Sequence, residues 1–356
     1  MKVLHFIPND KFTLPYIEFV NDKFNNKSHA FYVIKGENYV KDIVTKDKNI
    51  YWFSGGVKNL LTKIVLMNKS EKIILHSLFS KKLLLLLFVQ PWLLKKSNWI
   101  VWGGDLFSYR ESNIIKRIFA MMKKSIVKNI YGISTLVKGD QELVTDLYDT
   151  KAKRFMAIYI SDERTKQIKE IINRADYFKK KRKKIRVIVG NSATSTNNHL
   201  EVFEILKKYK GENIEIVCPL SYGNKEYAEK VIMYGKELFN DKFTYLDSFM
   251  TMDDYMEYLS SFDIGIYNND RQQGLGNIYS MLYLGKKVYM KSGTTMWLEM
   301  SRDMSLEVFD IENISHETFD EFAYNDKKIV DWNMGIVRKR YEPLNAISLW
   351  TEIFED

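Results

Sequence analysis

The sequence predicts an α/β protein of two domains, each with a parallel β-sheet covered by helices. Two observations support this class: short apolar runs alternate with segments of helical periodicity, and the alternation restarts after a strongly basic run at 179–186. A length of 356 residues exceeds one typical domain, and 46% hydrophobic residues provide material for two cores. We therefore expect domains at 1–180 and 181–330, and a helical segment at 331–356 that returns to the first domain.

Residues that follow strands in the first half should share one ligand-binding edge, because parallel α/β sheets bind ligands beyond the carboxyl ends of their strands. Apolar runs indicate strands at 3–7, 30–34, 50–53, 73–76, 99–102 and 130–134. The positions at or directly after their ends are Asn9, Asp10, Gly55, Gly56, His76, Gly103, Gly104, Asp105 and Ser134. We expect functional side chains among them.

Asp105 and His76 are the candidate catalytic residues at this edge. Asp105 ends the string WGGD, whose glycines allow close approach of the backbone, and a carboxylate there can accept a proton from a sugar hydroxyl or hold that hydroxyl in place. The alternative is that Asp105 caps the segment that follows it. His76 is either a ligand contact near Asp105 or a histidine satisfied within the fold.

The segment KKLLLLLFVQPWLLKK at 81–96 combines a leucine-rich sequence with a lysine pair at each end. Basic flanks beside Leu, Phe and Trp are typical of a segment that rests in the headgroup region of an anionic membrane. A buried helix is the alternative, which we favour for 83–88. Membrane contact is predicted for Lys81, Lys82, Trp92, Lys95 and Lys96. The basic run at 179–186 is a solvated linker or a second region attracted to anionic lipid.

Two loops in the second half are candidates for phosphate binding. In IRVIVGNS, the residues Gly190, Asn191 and Ser192 follow a strand, where amides and side chains can hold phosphate oxygens. The second loop lies between a strand at 264–267 and a helix, so free N–H groups and an arginine face an anion. Its residues are Arg271, Gln272, Gln273, Gly274, Gly276 and Asn277. Both loops are placed to bind one phosphorylated ligand, with simple turns as the alternative.

The composition and the short motifs of the chain exclude several classes of protein. The single cysteine, Cys218, excludes an intramolecular disulfide and, within IEIVCPL, indicates a buried thiol in a reducing compartment. The N-terminus predicts a first strand rather than a signal peptide, so we expect a cytosolic chain without a membrane span. Strings typical of zinc sites, P-loops and serine hydrolases are absent. A net charge of +9 predicts an acidic partner: nucleic acid, anionic lipid or a phosphorylated substrate.

Three strings together resemble one bacterial family. They are WGGDLF at 102–107, IVGNS at 188–192 with His199 shortly after it, and RQQGLG at 271–276. Their order and separations are similar to those of the TDP-4-acetamido-4,6-dideoxygalactose:lipid II transferases, the Fuc4NAc transferases of enterobacterial common antigen synthesis. The resemblance covers most of the chain, and RQQGxG is its most specific part.

The resemblance implies a GT-B glycosyltransferase, with two Rossmann-like domains that face each other across a cleft and a C-terminal helix that crosses back to the first. It implies a peripheral enzyme at the cytoplasmic face of the inner membrane. The enzyme would move a Fuc4NAc-like sugar from a nucleotide-diphosphate donor, dTDP in this family, to an undecaprenyl-diphosphate-linked saccharide. The two loops would bind the donor, and Asp105 and His76 would face the acceptor. An O-antigen or capsule transferase with a related sugar fits the same strings.

We expect glycosyl transfer without a cofactor or a required metal, because the chain has no D-x-D pair and offers Arg271 and a helix N-terminus to the leaving diphosphate. Asp105 is the expected base if the anomeric centre inverts, and it positions the acceptor if configuration is retained. Two other functions stay open. One is a sugar-nucleotide epimerase of the same architecture, which needs no lipid. The other is a nucleic-acid-binding protein, which the charge favours but no binding motif supports.

Overall fold

The computed structural model describes residues 2–34, 49–53, 57–106, 114–174, 177–178 and 184–356. Of the positions singled out above, Gly55, Gly56, Phe107 and the basic residues 179–183 lie outside these ranges. The chain divides into two compact units: Met1–Ser161 with Glu342–Asp356, and Asp162–Tyr341. These limits differ from the predicted domain boundaries after residues 180 and 330, and each difference concerns a helix described below.

The first unit is built on a seven-stranded sheet in which all neighbours are parallel, in the order β3-β2-β1-β4-β5-β6-β7. The strands are β1 (Val3–Pro8), β2 (His29–Ile34), β3 (Ile50–Phe53), β4 (Lys72–His76), β5 (Ser97–Val101), β6 (Gly132–Thr135) and β7 (Lys153–Met156). The helices are α1 (Thr13–Lys23), α2 (Val57–Lys69), α3 (Lys81–Phe88), α4 (Ile114–Asn129) and α5 (Gly139–Tyr148). Strand β7 lacks an apolar run because it is an edge strand with only Phe155 fully buried.

Helix α3 supplies part of the core of this unit. Its leucines at 83, 84, 86 and 87 are buried with Leu4, Leu75 and Trp99 of the sheet, whereas Leu85 and Phe88 are exposed. Leucines at this spacing occupy a wide face of the helix, and that face packs against the core. The buried-helix interpretation of 83–88 therefore accounts for four of the six residues.

The second unit is built on a six-stranded parallel sheet in the order β10-β9-β8-β11-β12-β13. The helices are α6 (Asp162–Ile172), α7 (His199–Leu206), α8 (Lys225–Phe239), α9 (Met252–Ser260), α10 (Leu275–Tyr283), α11 (Thr295–Leu298), α12 (Phe319–Ala323) and α13 (Lys327–Arg340). The strands are β8 (Ile185–Val189), β9 (Ile214–Pro219), β10 (Phe243–Leu246), β11 (Ile264–Tyr267), β12 (Lys287–Met290) and β13 (Phe309–Asp310).

Three helices explain where the units begin and end. Helix α6 lies before the basic run but packs against α9, so it belongs to the second unit. Helix α13 packs against α10 and also belongs there, although it extends past residue 330. The last helix, α14 (Pro343–Glu355), belongs to the first unit. The chain thus enters the second unit at residue 162 and leaves it at residue 341.

Each sheet reverses its strand order once. In the first unit the chain runs outward from β1 to β3 and then returns to place β4 beside β1. In the second it runs outward from β8 to β10 and returns to place β11 beside β8. Open α/β sheets bind ligands at such switch points, beyond the carboxyl ends of the two strands that flank the reversal. The candidate positions are therefore the loops after β1 and β4, and after β8 and β11.

Trp350 anchors α14 in the core of the first unit. It is fully buried, and its indole N–H donates to the Ile158 carbonyl at 2.8 Å. Its ring lies 4.8 Å from that of Tyr16 and 6.0 Å from that of His76, measured between ring centroids. Burial of an aromatic ring of this size is among the largest contributions one side chain makes to stability.

Replacing Trp350 with Ala should lower the free energy of unfolding of the first unit by about 3–5 kcal/mol, the usual cost of truncating a buried aromatic residue. Urea unfolding followed by circular dichroism measures this change. The matched control is Leu344→Ala, because Leu344 lies on the same helix and is 77% exposed. A similarly small effect of both substitutions would contradict the role assigned to Trp350.

Candidate active site

The carboxyl ends of β8 and β11 bring the two predicted phosphate loops together. The pairing of these strands continues into the loops, where the Gly190 N–H donates to the Ile266 carbonyl at 2.9 Å. Farther along, the Asp270 N–H donates to the Thr196 carbonyl at 3.1 Å. Two loops that are distant in the sequence thus run side by side at the switch point of the second unit.

Buried amide side chains connect these loops. The Thr196 hydroxyl donates to Gln273 Oε1 at 2.7 Å, and Gln273 Nε2 lies 3.5 Å from Asn191 Oδ1. Asn191 Nδ2 donates in turn to the Tyr222 hydroxyl at 2.9 Å. Because Asn191, Gln272 and Gln273 are all buried, these three residues shape the surface from beneath rather than extending from it.

Two glycines allow the loops to approach each other and their supports. Gly190 has a φ of 70°, and a Cβ there would stand 2.6 Å from His199 Nε2. Gly274 has a φ of 68°, and a Cβ there would stand 3.0 Å from Asn191 Oδ1. Other residues adopt this left-handed conformation only at a cost, and both positions also lack room for a side chain. The glycines predicted from the sequence are therefore required by the backbone.

His199, the first residue of α7, supports the Gly190 loop as a neutral ring. Its backbone N–H donates to the Tyr227 hydroxyl at 3.3 Å, so that hydroxyl can donate its own proton to His199 Nδ1, also at 3.3 Å. The other ring nitrogen, Nε2, faces position 190. Burial lowers the pKa of His199 to about 4, which keeps the ring uncharged near neutral pH.

Helix α10 begins without a side-chain cap. Gly274 occupies the N-cap position and has no side chain to bond the first N–H groups. These groups have no carbonyl partner within a helix, and a partial positive charge is concentrated there. The Asn277 side chain does not cap the helix, because its Nδ2 donates to the Tyr255 hydroxyl of α9 at 2.8 Å. The anion-binding capacity of this loop therefore resides in its backbone.

Two arginines lie at this end of α10. Arg271 is partly buried, and its Nη1 donates to the Gln272 carbonyl at 3.2 Å. Arg164 of α6 was not predicted, yet its Nη1 lies 2.9 Å from the place of a Cβ on Gly276. Its helix is polar and buries only Ile168 and Ile171 in full, so the sequence periodicity contained no signal for it.

Asp105 is fully buried and holds the loop after β5 in place. Its Oδ2 accepts from the Leu78 N–H at 2.9 Å and from the Trp99 indole at 2.8 Å, and its Oδ1 accepts from the Trp102 N–H at 2.9 Å. A buried carboxylate with three donors is a structural anchor, so the geometry argues against the predicted proton transfer. The predicted alternative, a cap on the following segment, concerns residues 107–113, which lie outside the described ranges.

His76 belongs to a line of buried histidines across three neighbouring strands. His29 Nδ1 lies 3.0 Å from His5 Nε2, and His5 Nδ1 lies 3.3 Å from His76 Nε2. The line ends at the Tyr159 hydroxyl, which lies 2.5 Å from His76 Nδ1. The same hydroxyl accepts a hydrogen bond from the Trp102 indole at 3.0 Å. His76 therefore reaches the loop of Asp105 only through Tyr159, an arrangement that favours a histidine satisfied within the fold.

These histidines are held neutral by their surroundings. Burial lowers the pKa of His76 to about 3 and that of His29 to about 4. Burial also brings the pKa of His5 well below its usual value, with further lowering by its two histidine neighbours. A neutral imidazole carries one proton and can bridge two partners, so the line needs no charge to stay hydrogen-bonded.

The predicted membrane residues at 81–96 are not equivalent. Lys96 bonds to the carbonyls of Asn68 and Ser70 at 2.9 and 2.5 Å, at the end of α2. The Trp92 indole donates to Asn68 Oδ1 at 2.8 Å, although 55% of the residue is exposed. Lys81 lies over the Phe119 ring at 5.5 Å from its centroid. Lys82 and Lys95 are exposed.

A larger apolar surface than the sequence suggested covers α3 and α4, which pack against each other. We call it the α3–α4 surface, and its exposed apolar residues are Leu85, Phe88, Val89, Trp92, Ile114, Ile115, Ile118 and Met121. Exposed cations on the same segments are Lys81, Lys82, Lys95, Lys116, Arg117 and Lys124. Within the described parts of the chain, no helix has the length and apolar character needed to cross a bilayer.

Two parallel sheets, each with one reversal of strand order, form the two-domain architecture of the GT-B fold, and solved structures share it. A glycosyltransferase from Rickettsia africae ESF-5 is 13% identical with a TM-score of 0.69, covering 99% of this chain and 97% of that one. A structure described as trehalose-6-phosphate from E. coli bound with UDP-2-fluoro glucose is 8% identical with a TM-score of 0.66, covering 100% of this chain and 99% of that one. WaaG, a glycosyltransferase involved in lipopolysaccharide biosynthesis, is 10% identical with a TM-score of 0.64, covering 99% and 98%.

The sequence itself identifies the family. Residues 5–333 match the family described as 4-alpha-L-fucosyltransferase, glycosyl transferase group 56, and the chain belongs to that family. The resemblance found in the three sequence strings is thereby confirmed, as are the α/β two-domain fold and the prediction of a glycosyltransferase. Membership places the protein in a family of transferases rather than of epimerases or nucleic-acid-binding proteins.

The free energy of unfolding should fall as the pH drops from 7 to 5. Unfolded histidines have a pKa near 6.5, whereas in the fold the pKa of His29 is about 4 and that of His76 about 3. In this window the unfolded chain takes up protons that the folded chain does not, so stability declines with acid. Each buried histidine should contribute a loss of about 1–2 kcal/mol, measured by urea unfolding at both pH values.

His29→Gln should remove the contribution of one buried histidine, so the free energy of unfolding should fall less steeply between pH 7 and pH 5. His316→Gln is the control, because His316 is exposed. Identical pH dependence in His29→Gln and the wild type would contradict the neutral, buried state assigned to His29.

Proposed function

We propose that this glycosyltransferase moves an amino-deoxy sugar of the Fuc4NAc type from a dTDP-linked donor to an undecaprenyl-diphosphate-linked saccharide. Such a step belongs to the synthesis of a surface polysaccharide such as enterobacterial common antigen or an O-antigen. The observation that carries the donor half is the paired loop surface at the switch point of the second unit. There the uncapped end of α10, Arg164 and Arg271 converge beside the Gly190 loop.

The donor diphosphate would bind at this surface. Departure of the nucleoside diphosphate builds negative charge on its oxygens, and fixed positive groups placed there in advance stabilise that charge. The N–H groups of Leu275 and Gly276 lie at the helix end, and Arg164 and Arg271 add two full charges. Asn191 and Gln273 would act beneath the ligand by holding the two loops together, and Gln272 is buried next to Gln273. Ser192 completes the proposed donor set, whereas Asn277 would support the loop through its bond to Tyr255.

The acceptor is a lipid, and the α3–α4 surface supports an attachment to the membrane that carries it. Its apolar side chains would enter the headgroup region of the inner membrane at the cytoplasmic face. The surrounding lysines would be attracted to anionic lipid, each by about 1 kcal/mol. Trp92, Lys81, Lys82 and Lys95 belong to this surface, whereas Lys96 caps α2. We propose a peripheral association of this kind.

Binding of the donor should be detectable as stabilisation. Among TDP, UDP, GDP and their sugars, one nucleotide should raise the free energy of unfolding, by about 2.7 kcal/mol at a hundredfold excess over its Kd. Arg271→Ala and Arg164→Ala should each weaken that nucleotide at least tenfold. Arg174→Ala is the control, since Arg174 is exposed and paired with Glu257 at 2.8 Å. Equal affinity in all three variants would exclude the proposed donor surface.

The membrane contact is tested with vesicles of phosphatidylglycerol and phosphatidylethanolamine. Ile118→Asp should reduce co-sedimentation at least tenfold, because it places a negative charge on the apolar surface. Met233→Asp is the control, because Met233 is also apolar and exposed but lies on α8 of the second unit. Undiminished binding of Ile118→Asp, or binding that is equally weak for both variants, would refute docking through α3 and α4.

A further inference from the structure

Arg164 lies against the first turn of α10, at a position where that helix has no side chain. Its Nη1 stands 2.9 Å from the place of a Cβ on Gly276, and its Cζ and Nη2 both stand 3.5 Å from that place. Gly276 is not among the glycines with a positive φ, so backbone conformation does not require a glycine there. The missing side chain at 276 instead makes room for the guanidinium group beside the N–H groups of the uncapped helix end.

The hydroxyl of Tyr341 holds this guanidinium group. Tyr341 is the C-cap residue of α13 and is partly buried, and its hydroxyl accepts a hydrogen bond from Arg164. Burial raises the pKa of Tyr341, and the positive charges of Arg164 and Arg340 offset only part of that rise. The phenol therefore keeps its proton near neutral pH, while its oxygen has lone pairs that accept from the arginine.

The Tyr341 ring is fixed by a buried group between α10 and α13, two helices that pack against each other. It lies 5.8 Å from the Tyr279 ring, edge to face at 78°. The guanidinium of Arg340 lies 4.8 Å from the centroid of that Tyr279 ring and donates to Glu299 Oε1 at 3.4 Å. Because Tyr279 and Glu299 are buried, the ion pair with Arg340 is costly to break, and the end of α13 has a fixed place beside α10.

An arginine on α6 needs such a partner in order to be fixed. This helix buries only Ile168 and Ile171 in full, so its packing places the backbone of Arg164 but not the end of a long side chain. An arginine that moves freely loses conformational entropy when a ligand orders it, and that loss weakens binding. A hydrogen bond to a hydroxyl that is itself fixed removes part of this loss before the ligand arrives.

We propose that Tyr341 is a positioning residue for the donor diphosphate, because it holds Arg164 at the N-terminus of α10 before the nucleotide binds. This inference rests on the proposed donor surface, to which it adds the last residue of the second unit. Tyr341 acts through Arg164 and does not contact the nucleotide itself. The developing charge of the leaving diphosphate then meets a cation that needs no rearrangement.

The test measures, by isothermal titration calorimetry, the affinity of the full-length protein for whichever of TDP, UDP and GDP stabilises the wild type. Tyr341→Phe keeps the ring and removes the hydroxyl, so Kd should rise about three- to fivefold. Arg164→Ala should raise Kd further, because the charge itself is then lost. Tyr289→Phe is the matched control, because it removes a tyrosine hydroxyl of the same unit that donates to Glu317 at 2.5 Å. Its Kd should change less than about twofold.

A double-mutant cycle shows whether Tyr341 acts through the arginine. In the Arg164→Ala background, Tyr341→Phe should leave Kd unchanged within about 1.5-fold, because the group that the hydroxyl positions is already absent. A merely structural role of Tyr341 predicts instead the same loss of affinity in both backgrounds.

The outcomes separate this inference from the proposed function. Weak binding by Arg164→Ala with normal binding by Tyr341→Phe, or equal losses in both backgrounds of the cycle, overturns the role of Tyr341 and leaves the donor surface intact. An equal loss in Tyr289→Phe also overturns it, since the effect then belongs to the fold. Normal binding by Arg164→Ala with weakened binding by Arg271→Ala removes Arg164, and Tyr341 with it, from the donor surface. Failure of the wild type to bind any of the three nucleotides rejects the proposed donor site and the inference together.

Discussion

The single reversal of strand order in each parallel sheet is the constraint that sets where its candidate ligand loops lie. On either side of the reversal the connecting segments diverge to opposite faces, so a crevice opens beyond the carboxyl ends of the two central strands. In the second unit this crevice lies over β8 and β11, and backbone bonds such as Gly190 to Ile266 carry the pairing into the loops. In the first unit it lies over β1 and β4, where Asp10 and His76 are found.

The fold itself supplies hydrogen-bond partners to the predicted catalytic residues of the first unit. Asp105 and His76 lie deep and have partners for every polar atom that the fold encloses, so they stabilise loops. Lys123, also buried, donates to the Asp105 carbonyl and lies over the Trp99 ring at 5.1 Å from its centroid. Among the residues that the structure describes, Asp10 Oδ1 is also buried but has no hydrogen-bond partner.

The sequence predicted those elements that have clear hydrophobic periodicity or a residue with a special backbone requirement, such as glycine. The loop at 271–277 was found because Gly274 needs a left-handed backbone and the strand and helix around it have clear periodicity. Burial is a property of the assembled fold, and no pattern in WGGD distinguishes a catalytic carboxylate from an anchored one. Asp105 was therefore predicted as a catalytic residue, although the fold binds its carboxylate with three donors. Helix α6 escaped prediction for a related reason, since a polar helix with two fully buried residues resembles a charged linker.

Arg164, which the sequence did not predict, adds a second positive charge to the proposed donor site. Arg271 and the N-terminus of α10 belong to one loop, so the conformation of that loop alone determines where their positive charge lies. Arg164 comes from the first turn of α6, only two residues after the chain enters the second unit, so its position depends on the packing of α6 against α9. A leaving diphosphate carries more than one negative charge, and two partly desolvated guanidinium groups attract it far more strongly than one exposed group would. The charge of the proposed site thus depends on tertiary packing within the unit as well as on the RQQGLG string.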